Sequence, residues 1–589
     1  MVNVTYGQLS AGSTDGSLVM NPLGTDIIAT VGGTPSAFDP GDVAFVLACA
    51  ALIIFMLPGL GYLYSGLARR KNALSLLFIT MVALAITSFQ WFFIGYSLVF
   101  SETGGTFLGD GLNVGFRGVL ERPVPESNGK LPEIVFAMYQ MCFACLVPAV
   151  LLGAAAERSR MLPAMIFIFC WTTLVYDPLA HWVWSVNGWA YKWGVLDYAG
   201  GVPVEIASGT GGLAYSYFIG KRRGYGTEMI VFKPSNVSQL VLGTVLLWVG
   251  WLGFNGGSCF AASLKAALAI FNTNLAGSVG GITWLIMDFR LERKWSVVGF
   301  CTGAIAGLVA ITPAAGFVGA PASALIGLVS AAVSNLCTRL KNTMRVDDPM
   351  DIFAVHALAG IVGVIMTGLF AQSSVAANDG FSQIDGGWLD HNWVQLGKQV
   401  AWACVGLSWT FVVTYAIMFV INLIPGCKFR ATMEAEIVGM DEVELGEYVA
   451  DYAYHERDLE GNYHPEGRDP DECDRNGNDG ERGRERDDYD KPSSRTRMRT
   501  RVADAVGSSP VPPSLMGRGS HSRSRSRTRA LEVRETDDGL EMAERPRGRG
   551  LQPQALPDRH VARAVHDVQE ETTGSEQSQE TVESKSRLA

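Results

Sequence analysis

Two carboxylates, Asp197 and Glu205, open an otherwise apolar, glycine-rich stretch, DYAGGVPVEIASGTGGL (197–213). An ionised side chain in hydrocarbon costs at least about 3 kcal/mol, so such a group is normally paired, protonated or facing a cavity. A second stretch, DPMDIFAVHALAGIVG (348–363), carries His356, the only histidine deep inside an apolar run. The spacings agree: Glu205 follows Asp197 by eight residues, and His356 follows Asp348 by eight. Glycines stand four and seven residues further on in both, Gly209 and Gly212 against Gly360 and Gly363. Ionisable groups in corresponding positions of two halves are the pattern of an inverted repeat with an ion path near the bilayer midplane. Glu205 and His356 are therefore candidates for one shared site. The plainer readings are a permanently protonated structural acid at Glu205 and a satisfied core histidine at His356.

Other side chains acquire meaning only beside these. Tyr139 and Phe143 are four apart and share a helix face, as do Phe254 and Ser258 in WVGWLGFNGGS. Taken alone, the first pair reads as packing and Ser258 as a routine helix-contact serine. Trp184 closes DPLAHWVW, either as an interfacial belt tryptophan or as a ring face offered to a cation. Cys142 and Cys145, three apart within a helix and with no further ligand nearby, read as packing rather than as a metal site.

The elements that must position these groups are long apolar helices. The chain has 589 residues, 48% of them hydrophobic, but the apolar ones are concentrated between 42 and about 425. Eleven runs there are read as reaching the roughly 20 residues that cross a bilayer: about 42–66, 73–100, 131–156, 161–184, 197–220, 237–258, 264–287, 296–313, 320–338, 351–371 and 397–425. Their period is helical, unlike the short alternating segments of a membrane barrel. Basic residues cluster in alternate loops, at Arg69, Arg70 and Lys71, Arg158 and Arg160, Lys221 to Arg223, Arg290 to Lys294, and Arg339 to Arg345. That asymmetry predicts an outside N-terminus and a cytosolic C-terminus. The expected organisation is an extracellular segment (1–41), a membrane domain (42–425), a cytosolic segment (426–461) and a disordered tail (462–589).

No basic stretch followed by an apolar core opens the chain, so the first span is expected to act as the insertion signal. Asn3-Val-Thr5 then lies outside as a glycosylation sequon, and Asn236-Val-Ser238 on the cytosolic side goes unmodified. In the tail, Asp474, Asn476, Asn478 and Glu485 form only a partial calcium loop, because Asp479 stands where glycine is needed. The SHSRSRSRTR run (520–529) reads as a phosphorylation substrate rather than as a nucleic-acid site. No Gly-Lys-Ser/Thr ends the glycine run at 209–212 and no nucleophile–base pair is apparent, which argues against an enzyme.

Five motifs in order carry a family resemblance: QMCFAC (140–145), HWVW (181–184), DYAGGVPVEI (197–206), WLGFNGGS (251–258) and DPMDIFAVHALAGIVG (348–363). Over roughly residues 35–460 the chain resembles the ammonium transporters of the Amt/Mep/Rh family, of the fungal methylammonium-permease type. The resemblance implies an all-α polytopic membrane protein of eleven transmembrane helices, two inverted five-helix repeats plus a final helix. It implies a homotrimer in the plasma membrane with a pore in each subunit, taking ammonium or methylammonium, with no cofactor. It assigns Trp184 and Ser258 to an external cation site, Asp197 to a buried role beside it, Phe143 and Phe254 to a phenyl gate, and His356 to a pair of pore histidines. Here the other member of that pair is Glu205. Residues 428–460 resemble the family's cytosolic regulatory segment. A sensor of ammonium that signals through its cytosolic end, and a gas channel of the related Rhesus type, are the competing expectations.

Overall fold

The computed structural model describes residues 5–6, 27–31, 34–226, 233–449, 456–457, 463–464, 533–536 and 539–542. The sequon at Asn3, the calcium-like pattern and the serine–arginine run lie outside the described residues. Two compact units divide the chain, 1–468 and 469–589. Within the second, the described residues are an antiparallel strand pair, Val533–Thr536 with Gly539–Met542. The first is a helical bundle preceded by a hairpin, Ile27–Val31 paired with Thr34–Phe38.

Among the described residues, eleven helical segments make the bundle. We number them α1 (Pro40–Leu67), α2 (Arg70–Phe100), α3 (Glu133–Ala155), α4 (Met161–Trp193), α5 (Gly201–Ile206 continued by Ala207–Ile219), α6 (Val237–Gly257), α7 (Leu264–Glu292), α8 (Val297–Ile311), α9 (Ala320–Thr343), α10 (Phe353–Phe370) and α11 (Val394–Leu423). Eight of these are individually long and apolar enough to cross a bilayer. The remaining three are α5, rich in Gly, Ser and Thr; α7, which carries Asn272, Thr273 and Asn274; and α8, which is only 15 residues long. The chain is thus an all-α polytopic membrane fold.

Local signals set the helix starts. Asp39 accepts from Gly41 N and Asp42 N ahead of Pro40, and Asn236, Ser263 and Ser296 accept from Gln239 N, Ala266 N and Gly299 N. Each satisfies amides that the first helical turn leaves without partners. Asn236 is therefore occupied as a helix cap.

Alternation of the segments puts the loops 69–71, 156–160, 220–223 and 339–351 at one end, here the basic end. The loops 101–132, 185–200 and 372–393 lie at the other. The segment after α11 returns to the basic end, where Ser159 pairs with Arg430 and Arg160 N donates to the Phe429 carbonyl (2.9 Å). A short helix α12 (Met433–Val438) and the turn Asp441–Leu445 follow. Asp441 caps α2 from a distance in sequence, accepting from Leu74 N (3.0 Å) and Ser75 N (2.7 Å). Glu444 likewise receives Met161 N (3.1 Å), and Glu436 receives Arg223 N (3.0 Å).

Candidate functional site

The site is built by the two half-repeats. Asp197 precedes α5 and accepts from Gly200 N (3.1 Å), Gly201 N and Val202 N (2.9 Å); Asp348 precedes α10 and accepts from Phe353 N (2.9 Å). Behind each aspartate the helix opens as a π-helical turn, Gly201–Ile206 in α5 and Phe353–Leu358 in α10. Such widened turns shift side-chain direction and recur at functional sites. Glu205 lies in one and His356 in the other.

The glycines four residues further on explain why the two meet. A Cβ on Gly209 would stand 2.3 Å from Ala357 N, and one on Gly360 would stand 3.0 Å from the Glu205 Cβ and 3.2 Å from the Gly201 carbonyl oxygen. Only bare backbone permits so close a crossing of α5 and α10. At that crossing Glu205 Oε2 lies 2.9 Å from His356 Nδ1. Both side chains are buried, and Glu205 Oε1 has no hydrogen-bond partner among the described residues. They face a void of about 10 Å³ lined also by Leu146, Val150, Leu247 and Trp251. A water needs roughly 10–15 Å³, so at most one fits there.

One turn outward on α3 and α6, Phe143 and Phe254 stack with centroids 4.0 Å apart and planes 29° from parallel. They close the void from a wide vestibule of about 530 Å³, open at the end opposite the basic loops and lined by Phe143, Trp184, Asp197, Ser258 and Glu126 among others. Trp184 sets its ring edge-on to Phe143 at 5.9 Å and donates its indole N–H to the Asp197 carbonyl (3.1 Å). Ser258 Oγ donates to the Phe254 carbonyl (2.9 Å) and lies 3.2 Å from Tyr139 Oη. The Asp197 carboxylate is saturated, since Trp402 Nε1 adds a fourth donor at 3.0 Å. It is a backbone clamp.

Trp184, Phe143, Phe254, Ser258 and Asp197 therefore share one vestibule floor, with Glu205 and His356 just inside it. The scan against family models matches residues 44–450 to the Ammonium Transporter Family. This chain belongs to the ammonium transporter family. It is 50% identical over 411 residues to Ammonium transporter 1 of Schizosaccharomyces pombe, covering 70% of this chain and 82% of that one. The solved structure of Saccharomyces cerevisiae Mep2 superposes with a TM-score of 0.65 at 46% identity, over 67% of this chain and 88% of that one. A structure named Sensor Amt Protein matches with a TM-score of 0.62 at 28% identity, over 69% of this chain and 98% of that one.

Several residues of this transporter's vestibule carry no sequence signal. Glu126 comes from a short helical turn, Pro125–Ser127, between α2 and α3. Lys265 is buried by an ion pair with Asp379 (2.8 Å), a bond to Ser382 Oγ (2.9 Å) and the faces of Tyr198 and Phe317. Tyr139, read from sequence as a packing partner of Phe143, also brings its hydroxyl to Ser258. These are contacts between distant loops, which local spacing does not encode.

Proposed function

We propose that the transporter takes ammonium at the vestibule floor, conducts ammonia inward and passes the proton along Glu205 and His356. Ammonium entering a drier site must replace water with other acceptors: the Trp184 face, the Ser258 hydroxyl and the negative potential of Asp197 offer three. A bare cation cannot cross the apolar void cheaply. Deprotonation at the floor leaves neutral ammonia to pass when the Phe143/Phe254 stack opens. The proton needs titratable groups further in, and a coupled carboxyl–imidazole pair can hold it on either partner or on both. The observation that carries this reading is the 2.9 Å contact between Glu205 and His356 beside a nearly dry void, with one carboxyl oxygen left open.

The same reading places the vestibule outside the cell and the basic end in the cytosol, in a homotrimer of the plasma membrane, with Asn3 an external glycosylation site. The segment 428–449, docked on the basic end, is then a cytosolic regulator through which other proteins can act. A second reading, an ammonium sensor that signals through that segment, is favoured by the likeness to the structure named as a sensor.

The test is Glu205→Gln in reconstituted protein, nearly isosteric and unable to ionise. Most ammonium-dependent current should be lost while ammonium still binds, and Glu205→His should transport with a shifted pH profile. Wild-type current in the Gln variant would remove Glu205 from the proton path. Saturable binding with no methylammonium flux in the wild type would favour the sensor.

A further inference from the structure

Between α4 and α5 the chain runs through Val195, Leu196 and Asp197, all buried and in neither helix nor strand. Their backbone groups therefore need partners from outside the segment. One face of α11 supplies several of them: Gln395, Gln399 and Trp402 are spaced four and three apart, so they share a side of the helix, and all three are buried. Gln395 Nε2 donates to the Gly194 carbonyl (3.0 Å), and Trp402 Nε1 donates to the Asp197 carboxylate (3.0 Å). Between them Gln399 takes Leu196 by both backbone groups. Its Oε1 accepts from Leu196 N (3.0 Å) and its Nε2 donates to the Leu196 carbonyl (2.6 Å). A side-chain amide offers a donor and an acceptor side by side, so Gln399 meets Leu196 as a residue of a paired strand would. Gln395 Nε2 also donates to Gln399 Oε1 (3.2 Å).

We propose that Gln399 is a positioning residue for the cation-recognition site, setting the place of the Trp184 ring through the segment 194–197. The inference rests on the role given to Trp184 above. Asp197 follows Leu196 in the chain, and its carbonyl is where the ring is fastened, by the Trp184 indole N–H (3.1 Å). Beyond Asp197 the backbone is held from α8's end, with Tyr198 N on the Pro313 carbonyl (3.1 Å) and Ala199 N on that of Thr312 (3.2 Å). Before Asp197 the hold on both backbone groups of Leu196 is Gln399. A ring face attracts a cation only within about 6 Å of its centroid, and a recognition group keeps such a placement only when hydrogen bonds behind it lock it. Without the Gln399 amide, two backbone groups of Leu196 lose their partners in a buried place, a costly state. The segment relieves it by shifting toward the vestibule that Leu196 itself lines, and the Trp184 ring moves with it. Gln399 Nε2 also reaches the Val364 carbonyl (3.4 Å) on α10, the helix that carries His356.

The test is uptake of labelled methylammonium by the full chain. Gln399→Met, similar in length but unable to hold either backbone group, should raise the half-saturation about tenfold with the maximal rate kept. Trp402→Phe, which keeps a ring and removes the donor to Asp197, should raise it about threefold. In a Trp184→Leu background neither substitution should raise it further, because the ring they position is gone. An unchanged half-saturation in Trp184→Leu alone would be the failure of the vestibule reading. With that variant impaired, three results would overturn the positioning role: an unchanged half-saturation in Gln399→Met, effects that add to that of Trp184→Leu, or loss of the maximal rate alone. Should Gln399→Met not assemble, Trp402→Phe decides by the same criteria. Hydrogen exchange on the wild-type chain needs no variant: the Leu196 amide should exchange slowly although it lies in no helix or strand, and fast exchange would remove the bond on which the proposal stands.

Discussion

Two constellations of buried charge stand at different depths of the bundle, and they are finished differently. At the basic end, Glu157 receives Arg69 N (2.7 Å), Arg69 Nε (2.8 Å) and Arg222 Nη1 (3.2 Å). Asp347 receives Arg222 through its backbone N (2.8 Å), Nε (2.9 Å) and Nη2 (2.9 Å). Arg158, wholly buried, spends its donors on the carbonyls of Gly220, Ala156 and Asp347. Both oxygens of each of these two carboxylates are used. Beside the small void, Glu205 has one oxygen on His356 and the other on nothing among the described residues. A closed network cannot take up a proton without giving up a pair, whereas an open one can. The closed constellation braces the basic end, and the open one is where the proposed relay would move a proton.

Breaking the closed network should have the largest effect on stability. Glu157→Gln removes the charge between two guanidinium groups, and a buried pair broken on one side costs about 3–5 kcal/mol. The melting midpoint in detergent should fall well below that of the wild type; an unchanged midpoint would show that the network is ornamental. Its pH dependence has a fixed sign. Burial pushes the Glu157 and Asp347 carboxyls up, but the neighbouring arginines more than offset it and hold both below the usual carboxylate range. Their stabilisation is thus present above an unfolded value near about 4 and lost only as pH falls through the lower folded values.

The vestibule floor is open in a different sense, because Trp184 and Ser258 line a cavity of about 530 Å³. Trp184→Leu removes the π face and Ser258→Ala the hydroxyl. Each should weaken ammonium recognition, together by about 1–3 kcal/mol, read as a higher half-saturation for methylammonium with the melting midpoint unmoved. Unchanged half-saturation in both single variants would sink the assignment.

A smaller effect is expected where the segment 428–449 closes onto the bundle. Asp441→Ala frees Leu74 N and Ser75 N, and a lost helix cap costs roughly 1 kcal/mol. The segment 428–449 should become more accessible to protease and transport should fall, with the membrane part still folded. Full transport with the segment released would show that its docking is not regulatory.

Much of this was legible before the fold. The eight-residue spacing and the paired glycines place Glu205 and His356 in equivalent positions, and the crossing of α5 and α10 at Gly209 and Gly360 is the physical content of that pattern. Helix positions followed from apolar run length, although α7 reaches Glu292 and α11 begins at Val394, because helical hydrogen bonding continues past the apolar stretch. The π-helical turns were not legible, since no residue type signals a widened turn. Nor was the use of Asp441 as a cap for α2, because its partners lie 366 and 367 residues away. Glu126 was equally hidden, one of several acids in a polar loop.

Glu126 gives the smallest effect and the finest version of the comparison. Its Oε1 receives Val186 N at 3.3 Å, and it forms no ion pair among the described residues although it lines the vestibule. Burial, helped by the nearby charges of Glu102 and Glu133, overcomes its backbone hydrogen bonds and pushes the carboxyl up to about 7. The shift is upward, so ionising Glu126 costs stability: the folded form is favoured below the ordinary carboxylate range, and that advantage is lost as pH rises through about 7. The negative charge of Glu126, which would draw cations toward the vestibule, is present only above that point. A single charge acting across a wet space changes a cation's local concentration by about two- to threefold. The half-saturation for methylammonium should therefore fall by about that factor as external pH rises through neutrality, and Glu126→Gln should hold the acid-side value at every pH. Superimposable pH profiles for wild type and variant would mean that this carboxyl is closed, like those at the basic end.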